Sequence, residues 1–278
     1  MGLRIATNVP ALNAQKNLFS TNIQQGTSMA RLASGLRINN ASDDAAGLAI
    51  SESMKAQIRG FRQANRNAND GISLVQIAEG GLNEVSTMLT RLRELAIQAA
   101  SDTISDRERV YTDTEYQQLK EEIERVSQTT LFNGVPLING VGGIFDIQVG
   151  VQNDQFNDRI SFDSTATNST LEGLGLTELT VIDKLSAQES LAFVDDALQN
   201  VSGMRAGIGA FQSRLQSASS NLMVSEENLS AANSRIRDTD VAAESTALAK
   251  SNILMQAATA VLGQANTQQQ LALKLLPG

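Results

Sequence analysis

The chain has no cysteine, no histidine and no tryptophan among its 278 residues. It therefore has no disulfide bond, no thiol or imidazole catalyst, and none of the nitrogen or sulfur ligands that most protein zinc sites use. Aromatic residues are also scarce, at 4% of the chain. Because aromatic side chains fill much of a thick core, their scarcity favours slender helical bundles with closely packed alanine layers.

An excess of positive charge and long apolar runs are absent as well. The net charge is −8, which argues against nucleic acid as a partner, since such proteins usually present a basic face. No apolar run approaches the ~20 residues that span a bilayer, so we expect no membrane partner. The opening MGLRIATNVPAL lacks the features of a secretory signal peptide. We expect a chain that is cytosolic or exported with its N-terminus intact.

Heptad periodicity is the strongest positive signal. Between Phe61 and Ala99, apolar or small residues recur at the a and d positions of six successive heptads. A single helix cannot bury such a seam, so the pattern predicts a helical partner. The large residues of the seam are Phe61, Val75, Leu82, Leu89 and Leu92.

A second long helix is predicted from about Ser186 to Arg237. Its heptad line includes Val201, Ile208, Leu215, Leu222 and Leu229, which makes it the natural partner of the first seam. Between the two, Ser105 and Glu108 have the spacing of a capping box. They predict a shorter helix that runs back antiparallel to the first, because the connecting loop is short.

The stretch after Leu131 differs from the helical segments in composition. It is rich in glycine and β-branched residues, with turn dipeptides at Asn133-Gly134 and Asn139-Gly140. Two strands are predicted, one containing Ile144, Ile147 and Val149 and the other containing Ile160 and Phe162. The fold class is therefore mainly α, with long antiparallel helical rods and a small β-hairpin region.

Both ends of the chain are helical in pattern, nearly uncharged, and apolar on more than one face. The first helix is expected to start or kink at Pro10 and to end near Gly35, and Asp43 and Asp44 are expected to cap the helix that follows. Such ends are typical of elements that pack only in an assembly. Their main apolar residues are Ile5, Leu12, Phe19 and Ile23 at the start, and Leu254, Met255, Val261 and Leu262 at the end.

No catalytic constellation is visible. Carboxylates and lysines are scattered at the spacing of solvated helix surfaces, and no third ligand accompanies Asp43 and Asp44, so we expect neither an enzyme nor a cofactor or metal site. Two alternatives follow from the residues. The chain is either the subunit of an assembly or a soluble coiled-coil adaptor that binds another protein's helix.

Several long segments carry a family resemblance. They are RLASGLRINNASDDAAGLAISE, QANRNANDGISLVQIAEGGLNEV, RLRELAIQAAS and RVSQTTLFNGV in the first half, and SAANSRIRDTDVAAESTALAKSNILMQAATAVLGQAN with LALKLL at the end. With these segments the chain resembles bacterial flagellin over nearly its whole length. The hook–filament junction protein shares the same end architecture and is the closest rival.

The resemblance implies two layers. Residues 1–40 and 233–278 would pair as an inner coiled coil containing the apolar end residues. Residues 41–185 and 186–232 would form an outer core around the heptad seam, without the variable outer domains of longer family members. The implied function is a secreted subunit of the extracellular flagellar filament, which serves motility. The implied partners are copies of itself, the export apparatus, a chaperone that binds the C-terminal segment, and the filament cap and junction proteins.

The resemblance also implies recognition by vertebrate Toll-like receptor 5. The family's receptor motif matches at Arg91 and Leu95 on the first long helix and at Glu115 on the returning helix. Thr90 stands where recognised members often have glutamine. From the residues alone, Arg91 and Glu115 are ordinary surface charges and Leu95 packs within the bundle or between subunits.

Overall fold

A computed structural model describes the backbone of residues 7–274 and the side chains of residues 7–268. Helices dominate this part of the chain, as the sequence predicts. They are α1 (Val9–Ser34), α2 (Ala45–Ala99), α3 (Asp106–Thr129), α4 (Lys184–Arg237) and α5 (Val241–Lys274). The strands are β1 (Leu131–Phe132), β2 (Val135–Pro136), β3 (Ile144–Gln148) and β4 (Arg159–Asp163), and a short 3-10 helix spans Ser164–Ala166.

The chain divides into two compact units. We call Met1–Ala56 with Asn228–Gly278 the terminal unit, and Gln57–Glu227 the central unit. The terminal unit's sequence has nine basic and six acidic residues, whereas the central unit's has 13 basic and 24 acidic residues. The negative charge of the chain is therefore concentrated in the central unit.

In the central unit, α2 and α4 run antiparallel. Arg62 Nε lies 2.6 Å from Glu226 Oε1, and Arg93 Nε lies 2.5 Å from Asp195 Oδ1, so higher numbers on α2 face lower numbers on α4. The predicted seam residues on both helices are buried, apart from the half-buried Phe61 and Leu229. Those buried are Val75, Leu82, Leu89 and Leu92 on α2, and Val201, Ile208, Leu215 and Leu222 on α4.

Helix α3 starts where the capping-box pattern predicts. Ser105 N donates to Glu108 Oε2 at 2.7 Å, and this bond holds the pKa of Glu108 below its usual range. Arg109 is buried and donates from Nε to Ala99 O and from Nη2 to Ser101 O, both at 2.9 Å. The guanidinium thereby binds the last carbonyl of α2, a group that a helix end leaves open, and a carbonyl of the loop that follows.

The β region forms two antiparallel hairpins. β1 pairs with β2 around Asn133-Gly134, where both residues have positive φ, as expected for a tight hairpin turn. β3 pairs with β4, and Ile147 lies opposite Ile160. The two predicted strands are confirmed as β3 and β4, except that Val149 lies just beyond the end of β3. Its buried face packs on α4 through Phe162, whose ring centroid is 5.3 Å from that of Phe211.

The segment that leads into α4 is held on α3 by buried polar groups. Lys120 Nζ donates to Thr177 O at 2.9 Å and to Leu179 O at 2.8 Å, and Asp113 Oδ1 accepts from Val181 N at 2.8 Å. Burial lowers the pKa of Lys120, although the charge of Asp113 opposes this.

The α2 seam gives a test of core packing. Leu92→Ala removes a side chain with no exposed surface, and we expect it to lower the free energy of unfolding by about 2–5 kcal/mol. Urea denaturation followed by circular dichroism measures this change. Ile97→Ala, on the same helix but 49% exposed, is the matched control with a much smaller expected loss. Equal losses would contradict the burial of Leu92.

Candidate assembly surface

In the terminal unit, α1 and α5 pair, as predicted for the two chain ends, and they run antiparallel. Asn8 Nδ2 donates to Ala265 O at 3.1 Å, and Gln25 Nε2 donates to Asn252 Oδ1 at 2.6 Å. Helix α1 begins at Val9 with Pro10 in its first turn, where the missing N–H of proline costs nothing.

The surface between α1 and α5 is built mainly from small residues. The side chains with least exposure are Ala14, Ser28, Ser251 and Ala265. Half-buried residues line both sides, in heptad spacing: Ala11, Leu18, Gln25 and Leu32 on α1, and Leu248, Met255 and Leu262 on α5. This pairing therefore buries only a modest share of the apolar surface that the two helices offer.

A second set of larger apolar residues points away from this pairing. Most of the end residues singled out in the sequence belong to it, with exposed fractions of about half or more. These are Leu12 at 56%, Phe19 at 68%, Ile23 at 56%, Leu254 at 46% and Val261 at 55%. We call them the exposed apolar line. Met255 and Leu262 instead lie in the α1–α5 pairing, and Ile5 lies outside the described residues.

The break between α1 and α2 is joined to the break between α4 and α5. Arg37 N donates to Arg237 O at 2.7 Å and Thr239 N donates to Gly35 O at 3.0 Å, which forms an antiparallel bridge between Leu36 and Asp238. We call this the junction bridge. Sequence reasoning identified the helix end at Gly35 but not its partner some 200 residues later, because no local pattern encodes such a pairing.

Of the two aspartates after the bridge, Asp44 caps α2, as the sequence predicts, whereas Asp43 binds the loop before it and does not cap the helix. Asp43 Oδ2 accepts from Asn39 N at 3.1 Å and from Asn40 N at 3.0 Å, and Asp44 Oδ1 accepts from Gly47 N at 2.8 Å. The bonds from Asn40 and Asn39 hold the pKa of Asp43 below its ordinary value. Among the described residues, no group of three or more acidic side chains is arranged to hold a metal ion.

The three residues of the receptor motif lie near the α2–α3 contact. Arg91 Nη2 lies 2.8 Å from Glu115 Oε1, both side chains are about half exposed, and the Glu115 carboxylate raises the pKa of Arg91. Leu95, one turn further along α2, is only 2% exposed. The structure thus brings the charged pair to the surface and places Leu95 in the core beneath.

Two family models match the chain. The bacterial flagellin N-terminal helical region matches residues 5–142, and the bacterial flagellin C-terminal helical region matches residues 191–276. Together they cover well over half of the sequence. The chain belongs to the bacterial flagellin family. This flagellin contributes α1–α3 to the first matched region and most of α4 and α5 to the second.

Individual relatives agree with this membership. The chain is 45% identical to a flagellin of Halalkalibacterium halodurans, over 97% of this chain and 98% of the relative. It is 41% identical to the flagellar filament core protein flaB2 of Brachyspira hyodysenteriae, over 98% and 99%. Among solved structures, Bacillus cereus flagellin superimposes with a TM-score of 0.51 and 28% identity, over 56% of this chain and 88% of that one.

Family membership supports a structural subunit of the flagellar filament. Within residues 7–274, the helices are too polar or too short to cross a membrane. In the terminal unit, the exposed apolar line is a set of large apolar side chains that the pairing of α1 with α5 leaves in contact with solvent.

Asp43 provides a pH test of the region beside the junction bridge. Its folded pKa is lowered, so its contribution to stability is present above the ordinary value of 3.8 and is lost as the pH falls through the folded value. We expect Asp43→Asn to melt at a lower temperature than the parent at pH 7, and the difference to shrink below pH 3.8. A constant difference across the series, measured by circular dichroism, would exclude a charged role for Asp43.

Proposed function

We propose that this flagellin polymerises with copies of itself into the extracellular filament of the bacterial flagellum and so serves motility. The exposed apolar line carries this proposal. Five large apolar side chains on α1 and α5 remain about half exposed or more after the two helices have paired. Exposed apolar surface of this extent is typical of a protein interface, and the names of the relatives, which include a flagellar filament core protein, support the same function.

The geometry favours an open assembly. The half-buried line of α1 (Ala11, Leu18, Gln25 and Leu32) contacts α5 of the same chain, while the exposed apolar line remains for a different surface on the next copy. A contact between two different surfaces is heterologous, and when it does not close into a ring it generates a helical filament. One chain can therefore keep the contact between its own α1 and α5 while its exposed apolar line contacts the next copy.

We further propose the two-layer organisation that the resemblance implies. Residues 1–40 and 233–278 would form the inner layer of the filament, and residues 41–185 and 186–232 the outer layer. The exposed apolar line supports an inner position for α1 and α5, because only neighbours on several sides can cover it. The acidic central unit is suited to the solvent-facing layer.

Passage to the cell exterior requires further partners. We propose that the chain is handed to the flagellar export apparatus by a chaperone that binds the C-terminal segment, and that cap and junction proteins contact the filament ends. The half-exposed Leu254 and Val261 on α5 support such a chaperone contact. A protein that holds these side chains before export would delay premature association.

Two other assignments remain as outcomes of the assembly test. A hook–filament junction protein would be dispensable for long filaments of another subunit, whereas a cell that lacks the major subunit builds none. A soluble coiled-coil adaptor would form no filaments after seeding under any condition. Electron microscopy of the purified chain, together with a deletion strain, separates the three.

Phe19 gives the sharpest single-residue test of assembly. Phe19→Ala removes a side chain that is 68% exposed, so the isolated chain should keep its fold. If Phe19 is buried between copies, the change costs about 2 kcal/mol per contact and raises the critical concentration for polymerisation by about tenfold or more. Ser20→Ala, at the neighbouring exposed position, is the control. Sedimentation of seeded filaments measures both, and equal critical concentrations would reject the exposed apolar line as an interface.

A second proposed role is recognition by Toll-like receptor 5 through Arg91, Leu95 and Glu115. The half-exposed pair of Arg91 and Glu115 supports a polar contact with the receptor, and the buried Leu95 would hold α2 against α3 beneath that pair. In this arrangement the charges contact the receptor and the leucine keeps them in place.

Arg93 is a matched control for this role. Like Arg91 it is a half-exposed arginine on α2, but its carboxylate partner, Asp195, lies on α4. We expect Arg91→Ala to reduce signalling in receptor-expressing cells several-fold and Arg93→Ala to change it little. Similar signalling from both variants, with unchanged circular dichroism, would remove Arg91 from the recognition surface.

A further inference from the structure

Helix α1 carries two adjacent lines of residues, each with two large apolar side chains, and only one line faces the partner helix. The inward line is Ala11, Leu18, Gln25 and Leu32. The outward line, one residue further along, is Leu12, Phe19, Gly26 and Ala33. Consecutive residues on a helix are about 100° apart. A turn of α1 by one residue position would therefore exchange the two lines.

Such a turn would leave a similar number of large apolar side chains against α5, so the burial of apolar area alone does not select either rotation. Leu18 and Leu32 would leave the contact and would be replaced by Phe19 and Leu12. In the structure Phe19 and Leu12 are instead 68% and 56% exposed. Some other contact must fix the rotation of α1.

The contacts along the pair are weak candidates for that role. Gln25 and Asn252 share an exposed hydrogen bond, Asn8 reaches Ala265 O through one side-chain bond, and the half-buried Arg31 and Glu244 approach only to 3.7 Å. Single side-chain contacts of this kind contribute little net stability. The least exposed side chains between the helices are alanines and serines. Because these side chains are small, they do not interlock in a way that would favour one rotation of α1 over another.

The junction bridge has the required properties. It joins Gly35, the C-cap of α1, to Thr239, which lies just before α5, because Thr239 N donates to Gly35 O. It also joins the chain after α1 to the end of α4, because Arg37 N donates to Arg237 O. Gly35 has a φ of 72° and donates to Arg31 O at 2.8 Å, so the direction in which the chain leaves α1 is set. Ile38, which follows, is 1% exposed and anchors the connector.

We propose that the junction bridge fixes the rotation of α1, so that the exposed apolar line is withheld from its own chain and kept for a second copy. The bridge is thus a positioning element for the assembly surface. Fixing the rotation depends only on the terminal unit. The use of the exposed line by a second copy rests on the proposed function.

The rotation can be measured with single cysteines, because the chain has no cysteine of its own. Leu18→Cys places a thiol on the inward line and Phe19→Cys places one on the outward line. The rate of reaction with iodoacetamide, measured on the dilute chain before assembly, reports the exposure of each position. The ratio of the two rates reports the rotation.

The bridge is removed by Arg37→Pro together with Thr239→Pro, because proline has no amide hydrogen to donate. The matched control is Arg37→Ala together with Thr239→Ala, which loses the same side chains but keeps both backbone donors. The control also loses the bond from Arg37 Nη2 to Ile236 O, so the two backgrounds differ in the backbone bridge and in the rigidity of proline.

With the control background, the cysteine at position 19 should react several-fold faster than the one at position 18. With the proline background, that ratio should fall to one or below while the helical circular dichroism signal is kept. Equal ratios in the two backgrounds, or a ratio near one in the control, would overturn the proposal. Fast reaction at both positions with loss of helical signal would also overturn it, because the bridge would then maintain the pair rather than its rotation.

Filament formation is scored separately by electron microscopy. If the ratio shifts as expected but Phe19→Ala leaves polymerisation unchanged, the proposed assembly surface fails and the role of the bridge in rotation stands. If Phe19→Ala blocks polymerisation and the ratio does not shift, the assembly surface stands and the bridge proposal fails.

Discussion

The central unit depends on one interaction, the burial of the seam between α2 and α4. Two helices of this length cannot be stable in water through their backbone bonds alone, and most of their stability comes from packing an apolar face. The remaining elements attach to this pair. Glycine permits two close approaches, because a Cβ at Gly71 would overlap Ile147 and one at Gly81 would overlap Ile138. The second hairpin and the loop between the hairpins can therefore lie directly on α2.

Much of this arrangement is predictable from the sequence because it rests on periodic or local signals. The seam residues such as Leu82 and Leu215 repeat every seven positions, and the caps at Ser105 and Asp44 lie directly before the helices that they start. The turn at Asn133-Gly134 belongs to the same class. Each of these features is encoded within one element, so a single stretch of sequence is enough to identify it.

Features that join distant elements were not predictable in this way. Lys120 and Arg109 look like solvated charges in an acidic helix, yet each is buried because the carbonyls that it binds come from another segment. In α1, periodicity indicates the line with Leu12 and Phe19, but the chain turns a neighbouring line toward α5. The choice between adjacent lines is made by contacts at the helix end, which periodicity does not record. Leu95 likewise matches a surface motif while lying in the core.

The composition of the terminal helices has a consequence for how the filament would respond to its surroundings. Between residues 8 and 30 the only ionisable side chain is Lys16, and residues 251–268 have none. These parts of the two helices therefore have no carboxylate that acid could neutralise. Attraction between apolar groups is mainly entropic near room temperature and weakens on cooling. Cold, rather than acid, is therefore the condition that directly weakens this surface, whereas acid acts on carboxylates elsewhere in the chain, such as Asp43 and those of the central unit.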